Sequence, residues 1–117
     1  MSEEAIDVKE VLERVQDDKE LLLELLDIFK DDYEEKRKVL DQLVVDKNYE
    51  QLKSIAHSMK GASGNISAKK LHVIFAKLEQ MAKENNLTDA NQVLADLDKQ
   101  YSEVAVHMTK LKTDFKK

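Results

Sequence analysis

The sequence predicts an all-helical protein, an antiparallel up-down four-helix bundle with a short additional N-terminal helix. The 117 residues contain no proline and only two glycines, so few positions interrupt a helix. Apolar residues recur every three to four positions along four long stretches, and no stretch shows the alternation of a convincing strand. Helices with one apolar face and short connections pack near-antiparallel, which favours a single domain over residues 1–117.

The first two predicted helices differ in length. The first spans residues 4–15 and is only weakly amphipathic. The second begins after Asp17 or Asp18, both good N-cap residues, and ends near residue 46. Its apolar stripe consists of Leu22, Leu25, Leu26, Phe29, Tyr33, Leu40 and Leu43.

The other three predicted helices also follow polar capping residues. Asp46 or Asn48 caps the third helix. Ser67 caps the fourth helix after a tight turn, and Thr88 caps the fifth. The apolar stripe of the third helix consists of Leu52, Ile55, Ala56, Met59, Ala62 and Ile66. That of the fourth helix consists of Leu71, Ile74, Phe75, Leu78, Met81 and Ala82. That of the fifth helix consists of Val93, Leu97, Tyr101, Val104, Met108 and Leu111.

Charge and composition exclude several classes of protein. The net charge of −5, from 19 basic and 24 acidic residues, argues against a nucleic-acid-binding protein. The absence of cysteine excludes disulfides and thiolate metal sites. No signal peptide and no apolar run of about 20 residues is evident, so we expect a cytoplasmic monomer without direct membrane contact. A membrane-anchored parent protein stays open if the chain is an excised domain.

Both glycines lie inside the third predicted helix, where each costs roughly 1 kcal/mol relative to alanine. Gly61 and Gly64 follow His57 by four and seven residues, so all three lie on one side of the helix. With Leu52 taken as zero and about 100° per residue, His57 falls near 140°, away from the apolar stripe. A histidine on a surface cleared of side chains is open to close approach by a large partner.

The same side of the helix carries two lysines. Lys53 falls near 100° and Lys60 near 80°. A neighbouring lysine disfavours the imidazolium form, which suits a histidine that stays neutral and nucleophilic and later holds an anion.

Counting from the turn predicts a partner for His57. In an antiparallel hairpin, residues equally distant from the turn lie side by side, and His57 and Glu79 are each eleven residues from Ala68. A carboxylate there can accept a hydrogen bond from one imidazole nitrogen and leave the other as a nucleophile. The alternative is that Glu79 is one more solvated charge.

The other two histidines have plainer interpretations. His72 lies near the Glu79 stripe, where it could help shape the surface of the site, but we expect it to be an ordinary surface residue. We expect His107 to be partly buried beside the apolar face of the last helix. The histidine spacing gives no metal-binding pattern.

The run from Ala56 to Ala68, AHSMKGASGNISA, resembles the signature of histidine-containing phosphotransfer (HPt) domains. The similarity is strongest over residues 48–82. It implies that His57 is the phosphoacceptor, that Lys60 helps hold the phosphoryl group, and that Gly61 lets a receiver domain dock closely. Glu79 matches a position where family members carry Glu or Gln hydrogen-bonded to the histidine. Lys83 matches a position where some members carry a basic residue that faces the partner. The family has glycine before alanine at the turn, where this chain has Ser67.

The resemblance implies reversible phosphoryl transfer between His57 and an aspartate of a response-regulator receiver domain. The donor or acceptor on the other side is a sensor or hybrid histidine kinase, and Mg²⁺ belongs to the receiver. We expect no cofactor or metal of the chain's own and, without a Gly-rich ATP loop, a carrier rather than an enzyme. Docking uses the His57 side with Gly61, Gly64, Lys53 and Lys83. Apolar candidates at its edge, unless they are core residues, are Ile66, Met59 and Ala62.

Two other functions stay open from the sequence. One is the phosphoacceptor domain of a chemotaxis-type histidine kinase, phosphorylated by a separate ATP-binding domain. The other is a helical scaffold that binds receivers without phosphate, which fits poorly with the presence of both His57 and Lys60.

Overall fold

A computed structural model describes residues 4–115, and over this range the chain forms five helices and no strand. The all-helical prediction is therefore confirmed for the described residues, while residues 1–3 and 116–117 of the predicted domain lie outside them. The helices are α1 (Val8–Arg14), α2 (Lys19–Val45), α3 (Tyr49–Asn65), α4 (Lys69–Lys83) and α5 (Ala90–Phe115).

Side-chain caps fix where three of the helices begin. Asp7 accepts a hydrogen bond from the Glu10 N–H at 3.1 Å, so α1 begins at Val8 and is shorter than predicted. Asp18 caps α2 and Asn48 caps α3, which decides between the alternatives that the sequence left open.

The predicted caps of the last two helices are wrong. Ala68 occupies the N-cap position of α4 without a side-chain hydrogen bond, and Ser67 instead has a left-handed backbone with φ 57°. Helix α5 begins at Ala90, two residues after Thr88, and the Thr88 hydroxyl does not cap it but donates, like the Thr88 N–H, to the side-chain oxygen of Asn86.

Helices α1 to α4 all end in the same way. The N–H two residues beyond the C-cap bonds back into the last helical turn, as from Asn48 to the Leu43 carbonyl at 3.0 Å. The residue between adopts a positive φ, which favours glycine. None of the four is glycine; they are Gln16, Lys47, Ser67 and Asn85. The chain thus omits glycine where helix ends favour it and places both glycines inside α3, where a helix disfavours them.

The helices pack as a ring of neighbours around one core. Helix α3 contacts α4 and α2, and α5 contacts α4 and α2. Two ion pairs show that α2 and α5 run in opposite directions: Asp27 pairs with Lys112, and Arg37, further along α2, pairs with Asp98, which comes earlier in α5. Met59 and Ile66 are buried, so both are core residues rather than docking candidates. The largest fully buried side chains are Phe75, Ile6, Leu22, Leu26, Leu40, Leu52, Met59, Leu71, Leu78, Leu97, Val11 and Val93.

The segment around α1 closes the end of the bundle at the α3–α4 turn. The Ile6 N–H donates to Nδ1 of His107 at 3.2 Å, and the Asp7 N–H donates to the Ser67 carbonyl at 3.0 Å. The Ser67 hydroxyl donates to Glu10 at 2.8 Å. His107 is partly buried, as predicted. These contacts hold the turn, and therefore the relative register of α3 and α4, from outside the hairpin.

No helix within residues 4–115 is both long and apolar enough to span a membrane.

Candidate functional site

His57 stands at the surface of α3. Its side chain is 70% exposed, whereas Leu52, Ala56 and Met59 on the same helix are completely buried. The position follows from the helical period, which turns the core residues inward and leaves position 57 outside. The predicted exposure of this histidine is confirmed.

Glu79 on α4 holds one nitrogen of the His57 ring. Nδ1 of His57 lies 2.9 Å from Oε2 of Glu79, and the Glu79 side chain is only 7% exposed. An ionised carboxylate only accepts hydrogen bonds, so Nδ1 carries the proton and Nε2 keeps its lone pair. The predicted contact is present, and Glu79 is not a solvated surface charge.

Two lysines accompany the buried carboxylate. The ammonium group of Lys60 lies 2.6 Å from Oε1 of Glu79, and that of Lys83 lies 3.9 Å from Oε2. The hydrogen bond from Lys60, followed by that from His57, holds the pKa of Glu79 below its ordinary value, although burial acts in the opposite direction. Glu79 therefore stays ionised and oriented, with His57 and Lys60 each on one oxygen.

Lys53 and Lys83 lie near the same end of the α3–α4 pair. Both line one shallow depression together with Tyr49 and Glu50. Lys53 is exposed. A surface with lysines beside an exposed imidazole attracts anionic groups, although the chain as a whole carries a net charge of −5.

The two glycines have different surroundings. A Cβ on Gly61 would meet nothing within 4 Å, so the fold itself gives no steric reason for glycine there. A Cβ on Gly64 would lie 3.2 Å from Nδ1 of His72. The interpretation of His72 as an ordinary surface residue is wrong, because the ring is half-buried and its Nδ1 lies 2.8 Å from the carbonyl oxygen of Lys60.

The sequence contains the signal that would have located His72. Gly64 and His72 are each four residues from Ala68, so the count that places Glu79 beside His57 also places His72 beside Gly64.

Within residues 4–115, no cluster of three or more His, Cys, Asp or Glu side chains is arranged to hold a metal ion. The groups that the structure brings together at the site are an imidazole, a carboxylate and ammonium groups.

The fold and the site define a small helical protein that presents one oriented imidazole to solvent, as a phosphoryl carrier requires. Residues 24–107 match the family model of the Hpt domain, so the chain belongs to the Hpt domain family. It is a histidine phosphotransfer protein of a two-component phosphorelay, and its family interacts with kinases and response regulators.

The fold is also similar to that of a solved structure, the crystal structure of histidine-containing phosphotransfer protein B (HptB) from Pseudomonas aeruginosa PAO1. The TM-score is 0.88 at 23% sequence identity, and the similarity covers 97% of this chain and 98% of that one. Among curated proteins, no sequence gives a significant match.

Proposed function

We propose that His57 carries the phosphoryl group on Nε2 and exchanges it with an aspartate of a receiver domain. The observation that carries this proposal is the 2.9 Å contact between Nδ1 of His57 and the buried carboxylate of Glu79. It fixes the proton on one nitrogen of an exposed ring, and the other nitrogen then faces a partner as a nucleophile.

The transfer forms one bond and breaks one bond. The lone pair on Nε2 attacks the phosphorus of the receiver's aspartyl phosphate, the P–O bond to the aspartate breaks, and the carboxylate leaves with its electron pair. The Nδ1 proton stays in place throughout, so the phosphorylated ring carries a positive charge. Glu79 lies beside that charge and stabilises it. The reverse transfer retraces the same steps.

Lys60 has two roles in this proposal. In the resting site its ammonium group lies on Glu79 and keeps the pKa of that carboxyl low. Once a phosphoryl group is attached to Nε2, a rotation of the flexible lysine side chain lets the ammonium group offset charge on the phosphoryl oxygens. The second role is the one that the family resemblance implies.

Docking uses the surface around His57. Gly61 leaves room for the backbone of the receiver, and Lys53 and Lys83 attract its acidic pocket. Gly64 also leaves a side chain off this side of α3, but the His72 ring lies next to it. Since Met59 and Ile66 are buried, this interface relies on polar and charged groups more than the sequence suggested.

The proposal assigns the remaining chemistry to the partners. Mg²⁺ belongs to the receiver, and ATP to a sensor or hybrid kinase, so this chain is a carrier and not an enzyme. The ring of helix contacts supports an up-down four-helix bundle of α2 to α5 with α1 added. We infer a monomer that meets its partners transiently in the cytoplasm.

The test is phosphorylation of the purified chain by receiver domains charged with a small phosphodonor and Mg²⁺. We expect acid-labile, base-stable phosphate that mass spectrometry maps to position 57 and that His57→Gln abolishes without loss of helicity. His107→Gln, as a matched histidine control, keeps the phosphate. Phosphate that persists in His57→Gln would refute the assignment. Labelling only by a kinase catalytic domain with ATP, and by no receiver, would favour the chemotaxis-type phosphoacceptor instead.

A further inference from the structure

Two side chains of α4 contact Lys60, one at its ammonium group and the other at its main-chain carbonyl. Its ammonium group contacts Glu79 at 2.6 Å, and its main-chain carbonyl lies 2.8 Å from Nδ1 of His72. Because a carbonyl oxygen only accepts, Nδ1 of His72 carries a proton and donates it. His72 and Glu79 are seven residues apart, close to two helical turns, so both project from the same side of α4.

Gly64 makes room for this contact. In an α-helix the N–H of Gly64 is directed at the carbonyl of Lys60, so the His72 ring approaches α3 next to Gly64. A Cβ on Gly64 would lie 3.2 Å from Nδ1 and 3.7 Å from Cε1 of that ring. A Cβ on Gly61 would meet nothing within 4 Å. The two glycines carry the same intrinsic helical cost, but only Gly64 has a neighbour within this chain that explains it.

We propose that His72 is a positioning residue of the phosphotransfer site and that Gly64 is a glycine because it admits the His72 ring. The proposal rests on the proposed function of His57 and Lys60. His72 ties the main chain of α3 to α4 at Lys60, one turn beyond His57. It thereby keeps the Lys60 side chain aligned with Glu79, and Glu79 aligned with the imidazole. His72 itself does not touch the transferred group.

Four variants test this role in transfer assays. His72→Leu removes the donor, and we expect kcat to fall roughly threefold to tenfold with KM for the receiver unchanged, the effect of one lost hydrogen bond. His72→Asn keeps an N–H donor near the position of Nδ1 and restores most of that loss. Gly64→Ala pushes the ring away by a few tenths of an ångström, because its Cβ would lie 3.2 Å from Nδ1, and we expect a smaller kcat defect of the same kind. The double variant Gly64→Ala/His72→Leu is no worse than His72→Leu alone, because both substitutions act on the same contact.

Thermal unfolding and ring spectra give readouts that do not depend on transfer. Gly61→Ala raises Tm through helix propensity, and Gly64→Ala raises it less, because its methyl group pushes against His72. In the His72→Leu background the difference between the Tm gains of Gly61→Ala and Gly64→Ala departs from its wild-type value, because the imidazole ring is no longer there. In nitrogen-15 spectra we expect the wild-type His72 ring to be protonated at Nδ1, as its contact with the Lys60 carbonyl requires, and we expect Gly64→Ala to alter that signal.

The outcomes separate this proposal from the proposed function. A wild-type chain that accepts no phosphate refutes the function, while the ring spectra and Tm values still report on the His72 contact. Three results would overturn the proposal: an unprotonated Nδ1 on His72, a Gly64→Ala effect confined to KM, or losses that add fully in the double variant. An effect confined to KM would instead make Gly64 a docking residue.

Discussion

Nδ1 of His57 donates to Oε2 of Glu79 over 2.9 Å, although 22 residues separate them in the sequence. The imidazole is exposed and the carboxylate is buried. A buried anion has few alternative positions, so it orients the exposed ring far more firmly than another surface side chain can. Its charge is sustained by Lys60, which contacts the second carboxylate oxygen. Three side chains from two helices therefore behave as one unit.

Replacement of Glu79 by Gln tests this unit through pH. The pKa of Glu79 is lowered from its ordinary 4.5, chiefly by Lys60, so the ionised carboxylate contributes stability above pH 4.5. That contribution is lost as pH falls through the folded-state pKa. We expect Glu79→Gln to lower the free energy of unfolding by about 1–3 kcal/mol at pH 7. The gap to wild type narrows as the solution is acidified below pH 4.5.

Urea unfolding at several values between pH 7 and pH 3 measures this gap. Glu84→Gln is the matched control, since Glu84 is an exposed carboxyl at the end of the same helix and its loss changes stability by no more than about 0.5 kcal/mol at pH 7. A Glu79→Gln gap that is the same at every pH would show that the charge of Glu79 contributes nothing to the fold.

Gly61 allows docking to be separated from folding. Position 61 is exposed and a side chain there meets no neighbour, so Gly61→Ala stabilises the fold by about 1 kcal/mol through helix propensity, and Gly61→Gln by somewhat less. On docking, Gln obstructs the receiver backbone, and we expect KM to rise roughly tenfold, equivalent to about 1.4 kcal/mol. Kinetics at varied receiver concentration measure this effect. A stabilised Gly61→Gln variant with the wild-type KM would mean that close approach at Gly61 is not required.

The helical register of the site follows from the sequence, because it depends on periods and counts. The 3.6-residue period turns His57 away from Leu52 and Met59, and the symmetric distance from Ala68 brings Glu79 beside it. Both results are insensitive to side-chain rotamers. The period places Met59 and Ile66 on the apolar stripe but leaves open whether they lie in the core or at the edge of the docking surface, and the structure shows that both are buried.

Contacts that depend on tertiary packing or on side-chain conformation cannot be predicted from the helical period or from counting residues. The ammonium group of Lys60 can reach solvent or Glu79 from the same Cα position, and only the structure shows that it lies on the carboxylate. Serine is favoured at N-caps, so the sequence predicts that Ser67 caps α4. In a turn this short, however, position 67 completes the end of α3 and takes a positive φ. The N–H of the buried Ile6 donates to Nδ1 of His107 on α5, a contact between residues 101 positions apart that no local pattern indicates.

Ser67 therefore makes two opposing contributions to the stability of the fold, and substitutions can separate them. Its φ of 57° costs a non-glycine residue about 1 kcal/mol, and its hydroxyl bond to Glu10 returns a similar amount. Ser67→Ala keeps the backbone cost and loses the hydrogen bond, so we expect a destabilisation of about 1 kcal/mol. Ser67→Gly loses the bond but removes the backbone cost, and we expect it to be more stable than Ser67→Ala.

Chemical denaturation of the two Ser67 variants measures this order, and the pKa of Glu10 offers a second readout. Lys69, Ser67 and Arg14, in that order, lower the pKa of Glu10 to about 2, so loss of the hydroxyl raises it. Inside a regular helix alanine is more stable than glycine, so the reverse order at position 67 identifies the left-handed backbone. If Ser67→Ala proves the more stable variant, position 67 is not left-handed in solution.

The lysines of the docking surface predict an association rate that depends on salt. Lys53 and Lys83 line one depression beside the site, in a chain whose net charge of −5 repels an acidic partner as a whole. We expect Lys53→Gln/Lys83→Gln to slow association with the receiver roughly threefold to tenfold at low ionic strength. The difference disappears near 1 M salt, where the screening length is about 3 Å. Stopped-flow mixing across a salt series measures these rates. Lys99→Gln/Lys110→Gln on α5, a helix that packs against α4 and α2, removes the same two charges from exposed positions without touching the α3 surface, and we expect it to leave the rate nearly unchanged. An equal slowing by Lys99→Gln/Lys110→Gln would mean that the net charge of the chain, and not the lysines beside His57, governs the encounter.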